Sequence, residues 1–70
     1  MSHELISLVK QKRKELNLTQ IDLADKAGVG LRFIREMEQG KKTLRLDKVN
    51  QVLSLFGYRM IPGRVRNEEG

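Results

Sequence analysis

Apolar residues recur along the chain in four groups at helical spacing, and the breaks between them are glycines or short polar stretches. Leu5, Leu8, Val9 and Leu16 share a face, which predicts a first helix from about Ser2 or His3 to Leu16, stopping at Asn17. Thr19 is a good N-cap, and Asp22 three residues later makes a near capping box, so a second helix should start at Gln20. On it Leu23, Ala24 and Ala27 share one face, with Ala24 small where another helix has to cross closely. Gly28 supplies the positive φ that ends this helix. Val29, the one apolar residue of the turn, should plug the gap between two helices, and Gly30 is a weaker N-cap for the third. There Ile34 and Met37 point inward, Leu31, Arg32, Arg35, Glu36 and Gln39 are left outside, and Gly40 ends the helix. Beyond the loop Lys41-Lys42-Thr43-Leu44-Arg45, a fourth helix is defined by Leu46, Val49, Val52, Leu53 and Phe56 and closed by Gly57, with Leu55 widening its stripe.

That stripe is wider than a lone four-helix domain needs, which points toward a second subunit. Tyr58-Arg59-Met60-Ile61 follows as a short β-like run halted by Pro62-Gly63. A single strand leaves its backbone groups unpaired, so the expectation is a two-stranded sheet spanning a dimer; a frayed extended segment is the alternative. Residues 1–57 then form the helical domain, 58–62 a dimerisation strand and 63–70 a disordered tail. Val52, Leu55, Phe56, Tyr58, Arg59, Met60 and Ile61 are the expected dimer contacts.

Two charges fall on apolar faces. Arg13 lies four after Val9, and Glu38 four after Ile34. A half-buried arginine without a carboxylate would cost several kcal/mol, so an Arg13 to Glu38 salt bridge tying the first helix to the third is expected. The alternative is that both long side chains snorkel outward.

Composition narrows the function classes. Seventy residues make one small domain, which buries only about 60% of its unfolded surface, so a partner subunit would help it. Lys+Arg 14 against Asp+Glu 9, a net charge of +5, favours a polyanionic ligand, either nucleic acid or an anionic membrane surface. No apolar run spans a bilayer, and the start MSHELISLVK lacks a signal-peptide core. With Cys 0, disulfides and thiolate metal sites are excluded, and a cytoplasmic, nucleoid-associated location is expected. The sequon Asn17-Leu18-Thr19 reads as a helix boundary, and the run Lys10-Gln11-Lys12-Arg13-Lys14 as the wet side of a helix. Catalysis fails on inventory: His3 is the one histidine, no carboxylates converge, and no glycine loop cradles phosphate, so no catalytic residue, cofactor or metal is expected.

A short helix, one glycine and a second helix that exposes two arginines near its start read as a helix-turn-helix shaped for the major groove. The block LTQIDLADKAGVGLRFIREMEQGKKT resembles the helix-turn-helix of the Xre family, the lambdoid repressor and Cro group, with Gln20, Ala24, Gly28, Val29, Ile34, Met37 and Gly40 at matching positions. Within that family the ending LRLDKVNQVLSLFGYRM is similar to HipB-like antitoxins, in which one β-strand after the fourth helix pairs across the dimer.

The resemblance implies an all-α, lambda-repressor-like bundle of four helices plus a short C-terminal β-strand. It also implies a homodimeric, sequence-specific repressor of double-stranded DNA on a palindromic operator. The HipB-like ending implies an autoregulating antitoxin with a HipA-like kinase toxin as partner. The alternative is a stand-alone phage or plasmid regulator of the Xre/Cro type. Carried over by position, Gln20 meets the DNA backbone or an outer base, and Leu31, Arg32, Arg35 and Glu36 face base edges. Arg32 and Arg35 would pair with guanines and Leu31 with a thymine methyl, against the alternative of a solvated helix face. Phe33 is assigned to support beside the backbone. Lys41, Lys42, Thr43 and Arg45 follow the recognition helix where a loop passes along a phosphate ridge, so they should position the domain without reading sequence.

Overall fold

The computed structural model describes residues 3–64, so the end of the expected tail lies outside the described residues. Four helices appear in the expected order: α1 (His3–Glu15), α2 (Gln20–Ala27), α3 (Leu31–Glu38) and α4 (Leu46–Leu55). The core is made by Leu5 and Val9 of α1, Leu23 and Ala24 of α2, Ile34 and Met37 of α3, and Val49, Val52 and Leu53 of α4. Helix α2 is the hub: α3 and α4 both pack on it, and α1 packs against α3.

Local chemistry sets the ends of these helices. The Thr19 hydroxyl accepts the Asp22 N–H at 3.0 Å and the Asp22 carboxylate accepts the Thr19 N–H at 3.0 Å, a complete capping box. Replacing Thr19 by alanine is expected to lower stability by about 1 kcal/mol, read as an earlier urea midpoint in far-UV circular dichroism. The hydrogen bond from the Thr19 N–H first, and then the Thr19 side chain, hold the Asp22 carboxyl below its ordinary 3.8. Asp22 therefore supports the fold fully above its unfolded value, and that support disappears as pH falls through the lowered one. At the other end of α2, Gly28 takes φ 76° and both its N–H and that of Val29 bond the Ala24 carbonyl at 3.0 Å. A residue with a Cβ would be strained there.

Several expectations need correction. Leu16 was counted on the inner face of the first helix but is 54% exposed. The helix stops at Glu15, the Leu18 N–H bonds the Arg13 carbonyl at 3.0 Å, and Asn17 turns left-handed at φ 58°, which swings Leu16 out of register. Val52 was assigned to a dimer face, yet it is wholly buried inside its own subunit. It lies three residues after Val49, so both reach the core from one side of α4. Phe56 is half-buried against the same core.

No strand forms among the described residues. After α4 the chain follows the helix instead: the Tyr58 N–H bonds the Leu53 carbonyl at 2.9 Å, and the Met60 N–H bonds the Asn50 Oδ1 at 2.7 Å. A strand needs a partner, and within one chain this segment finds only side chains and carbonyls of α4.

Candidate nucleic-acid interface

Helix α3 is sharply two-sided. Ile34, Met37 and Glu38 are buried, while the Arg32 side chain is 91% exposed and Arg35 is also outside. Leu31, expected outside, instead packs partly against the core, because positions 31, 34 and 38 share one helical face. That leaves Leu31 less apolar surface for a thymine methyl. Phe33 is likewise half-buried, four residues before Met37. Of the residues assigned to base edges, Arg32, Arg35 and Glu36 remain at the surface, with Glu36 half-buried.

Glu36 is already engaged within the chain. Its carboxylate accepts a hydrogen bond from Arg32 Nε at 3.2 Å and another from Lys41 Nζ at 3.3 Å. The bond from Lys41, aided by Arg32, holds the Glu36 carboxyl below its usual range, against partial burial. Arg35 makes no ion pair among the described residues.

Beside α3, Lys41, Thr43, Leu44 and Arg45 of the loop line a groove of about 210 Å³ together with Phe33, Glu36 and Lys48, three cations against one carboxylate. Lys48 is a cation that position along the chain did not single out. Its ammonium stands 6.0 Å from the Phe33 ring centre, so a ring on α3 faces a charge at the start of α4. Only the spacing of Lys48 two residues after Leu46, on the wet side of the first turn, hinted at this. Arg45 is partly offset by Asp47, whose carboxylate accepts from its guanidinium at 2.7 Å and is thereby held below its ordinary value. Lys42 and Thr43 are exposed on the same loop.

Behind the exposed face of α3 lies a buried polar cluster. Arg13 donates to Glu38 through Nε at 2.7 Å and Nη2 at 3.0 Å, and through Nη1 to the Leu18 carbonyl at 3.0 Å. Gln20 Nε2 donates to Glu38 Oε1 at 3.1 Å. One carboxylate thus joins α1, the first residue of α2, and α3. Gln20, expected at the DNA backbone or an outer base, is half-buried here, and its amide nitrogen turns inward to support α3. From behind, Gln51 of α4 reaches the Ala27 and Gly28 carbonyls, both at 3.4 Å, and backs the turn between α2 and α3. Spacing alone did not reveal that contact.

Among the described residues no helix is long and apolar enough to cross a membrane. No solved structure matches the chain. A family model described as helix-turn-helix matches residues 9–61. A protein of Sinorhizobium fredii described as an uncharacterized HTH-type transcriptional regulator, y4mF, is 55% identical over 51 residues, covering 73% of this chain and 67% of the relative. The matched span runs from the middle of α1 through the segment after α4 and takes in the capped α2, the glycine turn and the cationic face of α3. The chain therefore belongs to the Xre-type helix-turn-helix family.

Proposed function

We propose that the protein is a sequence-specific repressor that binds double-stranded DNA through α3 as a homodimer on a palindromic operator. Membership of the helix-turn-helix family points to a DNA-binding transcriptional regulator rather than an enzyme. The observation that carries the finer reading is the outer face of α3, where Arg32 and Arg35 stand in solvent beside the cationic groove of Lys41, Arg45 and Lys48. Arginines on an exposed helix suit guanine edges, and the flanking cations suit phosphates. Selection of bound sequences from random duplexes is the test. It is expected to return two-fold-related half-sites, each with at least one guanine, with centres about 34 Å apart or a multiple of that. A pool with no enriched sequence would overturn the reading.

The homodimer is supported by the segment after α4. Leu55, Tyr58, Met60 and Ile61 are exposed apolar residues close together in sequence, and Ile61 is 68% exposed. The N–H groups of Tyr58 and Met60 turn toward α4, whereas those of Arg59 and Ile61 make no hydrogen bond among the described residues. In an extended segment alternate N–H groups point to opposite edges, so the outer edge is free to pair with the same segment of a second copy. Cutting the chain after Gly57 should shift sedimentation toward the monomer; an unchanged sedimentation coefficient would remove this segment from the dimer.

We further infer action in the cytoplasm, as the autoregulating antitoxin of a HipBA-like operon. That role rests on the similarity of residues 44–60 to HipB-like antitoxins. Co-purification with a kinase-like protein encoded by the neighbouring reading frame would support it, and a regulator that purifies alone and has no kinase-like neighbour in its operon would oppose it.

A further inference from the structure

We infer that Glu36 is a positioning residue that sets specificity through Arg32 and Lys41 rather than by touching a base. The inference rests on the reading of α3 as the DNA-facing helix. Both carboxylate oxygens are in use, Oε2 by Arg32 Nε at 3.2 Å and Oε1 by Lys41 Nζ at 3.3 Å. A carboxylate reads a base edge by accepting from a cytosine amine, and here each oxygen already accepts from a cation of the same chain, so a base would have to share or displace those bonds.

Holding Nε has a geometric consequence. Arginine has five N–H donors, and it can meet guanine O6 and N7 either side-on, through Nε and one Nη, or end-on, through both Nη atoms. With Nε bonded to Glu36, the end-on fork remains. The Arg32 side chain is 91% exposed, so no packing would otherwise fix it. Glu36 thus narrows a mobile guanidinium to one presentation before DNA arrives, which reduces the ordering cost at the moment of binding.

The second consequence concerns duplexes of the wrong sequence. Arg32 and Lys41 are paired with an anion, so phosphates must compete with Glu36 for them, and the carboxylate itself repels the backbone. Non-specific binding depends almost wholly on cations reaching phosphates, so it is weakened more than binding that also gains guanine contacts. The Glu36 carboxyl is held below its usual range by Lys41 first and Arg32 after, which keeps it charged at neutral pH. An exposed ion pair of this kind adds little to folding, so its effect belongs to binding.

The test uses Glu36→Gln in the full chain, which keeps the size of the side chain but removes the charge and one of the two acceptor oxygens. Fluorescence anisotropy would follow a selected duplex and a scrambled duplex of equal length from 50 to 200 mM salt, conditions that resolve electrostatic slopes. The scrambled duplex should bind about 3- to 10-fold more tightly to the variant, with a salt slope steeper by about 1 to 2 as two cations become available. The ratio of selected to scrambled affinity should fall by about tenfold or more, and the thermal midpoint should not move. In an Arg32→Ala background the effect of Glu36→Gln on that ratio should shrink to the part that acts through Lys41 and the carboxylate's own charge, a coupling that a general loss of folding would not produce. An unchanged ratio and slope would overturn the inference. So would re-selection that alters preference at one base pair while scrambled binding stays the same, since Glu36 would then be reading that base. If the parent protein itself shows no preference among duplexes, the DNA-reading assignment of α3 fails first, and this inference with it.

Discussion

Replacing Arg13 by methionine is expected to remove about 3 to 5 kcal/mol of stability, the usual result of breaking one side of a buried ion pair. Glu38 is buried, with 4% of its side chain exposed, and it takes three hydrogen bonds, two of them from Arg13. Without the guanidinium a buried carboxylate would be left with the Gln20 amide as its remaining side-chain donor among the described residues. A domain of seventy residues has a total stability of roughly 4 to 10 kcal/mol, so this one change would use up about half of it. Urea unfolding at neutral pH followed by circular dichroism measures the loss. The double change Arg13→Met with Glu38→Leu should recover most of it, because the desolvation cost disappears with the second charge. If the single variant unfolded at the parent midpoint, the pair would not be what holds α1 against α3. The hydrogen bond from Arg13 to Glu38 raises the arginine pKa further, so the charge on Arg13 persists at every pH such an experiment would use.

The helical frame was legible because its punctuation is local. A threonine and an aspartate three residues apart define the start of α2, one glycine defines its end, and neither depends on the rest of the chain. The pairing of Arg13 with Glu38 was also readable, since each charge sits on a face otherwise made of apolar residues. What could not be read depends on how the helices cross. Gln20 turns to Glu38 only because the start of α2 lies beside the end of α3, and Gln51 reaches the turn only because α4 lies across it. Leu31 and Val52 were misplaced for a related reason. On a two-turn or three-turn helix, adjacent faces differ by one residue, and the crossing angle decides which of them is covered. The segment after α4 was read as a strand from its β-branched and aromatic character, but strand pairing is a property of two chains, and in one chain its N–H groups turn to Leu53 and Asn50.

Within the candidate interface the difference between reading bases and holding phosphates can be measured directly. Arg32→Ala is expected to weaken binding to the selected operator by about 5- to 150-fold, the equivalent of ~1 to 3 kcal/mol for one bidentate guanine contact, while scrambled duplexes change far less. The fold should be unaffected, because the Arg32 side chain is 91% exposed and among the described residues pairs only with Glu36. Arg35→Ala should behave in the same direction, since Arg35 occupies the next turn of the same outer face. Lys42→Ala makes the contrast. It lies on the loop after α3, and its removal should weaken selected and scrambled duplexes alike and flatten the salt slope by about 1. The two patterns separate the roles of these cations without a structure of the complex, because losing a guanine contact lowers the ratio of affinities whereas losing a phosphate contact weakens every sequence and flattens its slope. Should Arg32→Ala bind the selected duplex as tightly as the parent, the exposed arginines of α3 would be a solvated helix face, and the recognition surface would have to be sought on the cations of the groove beside it.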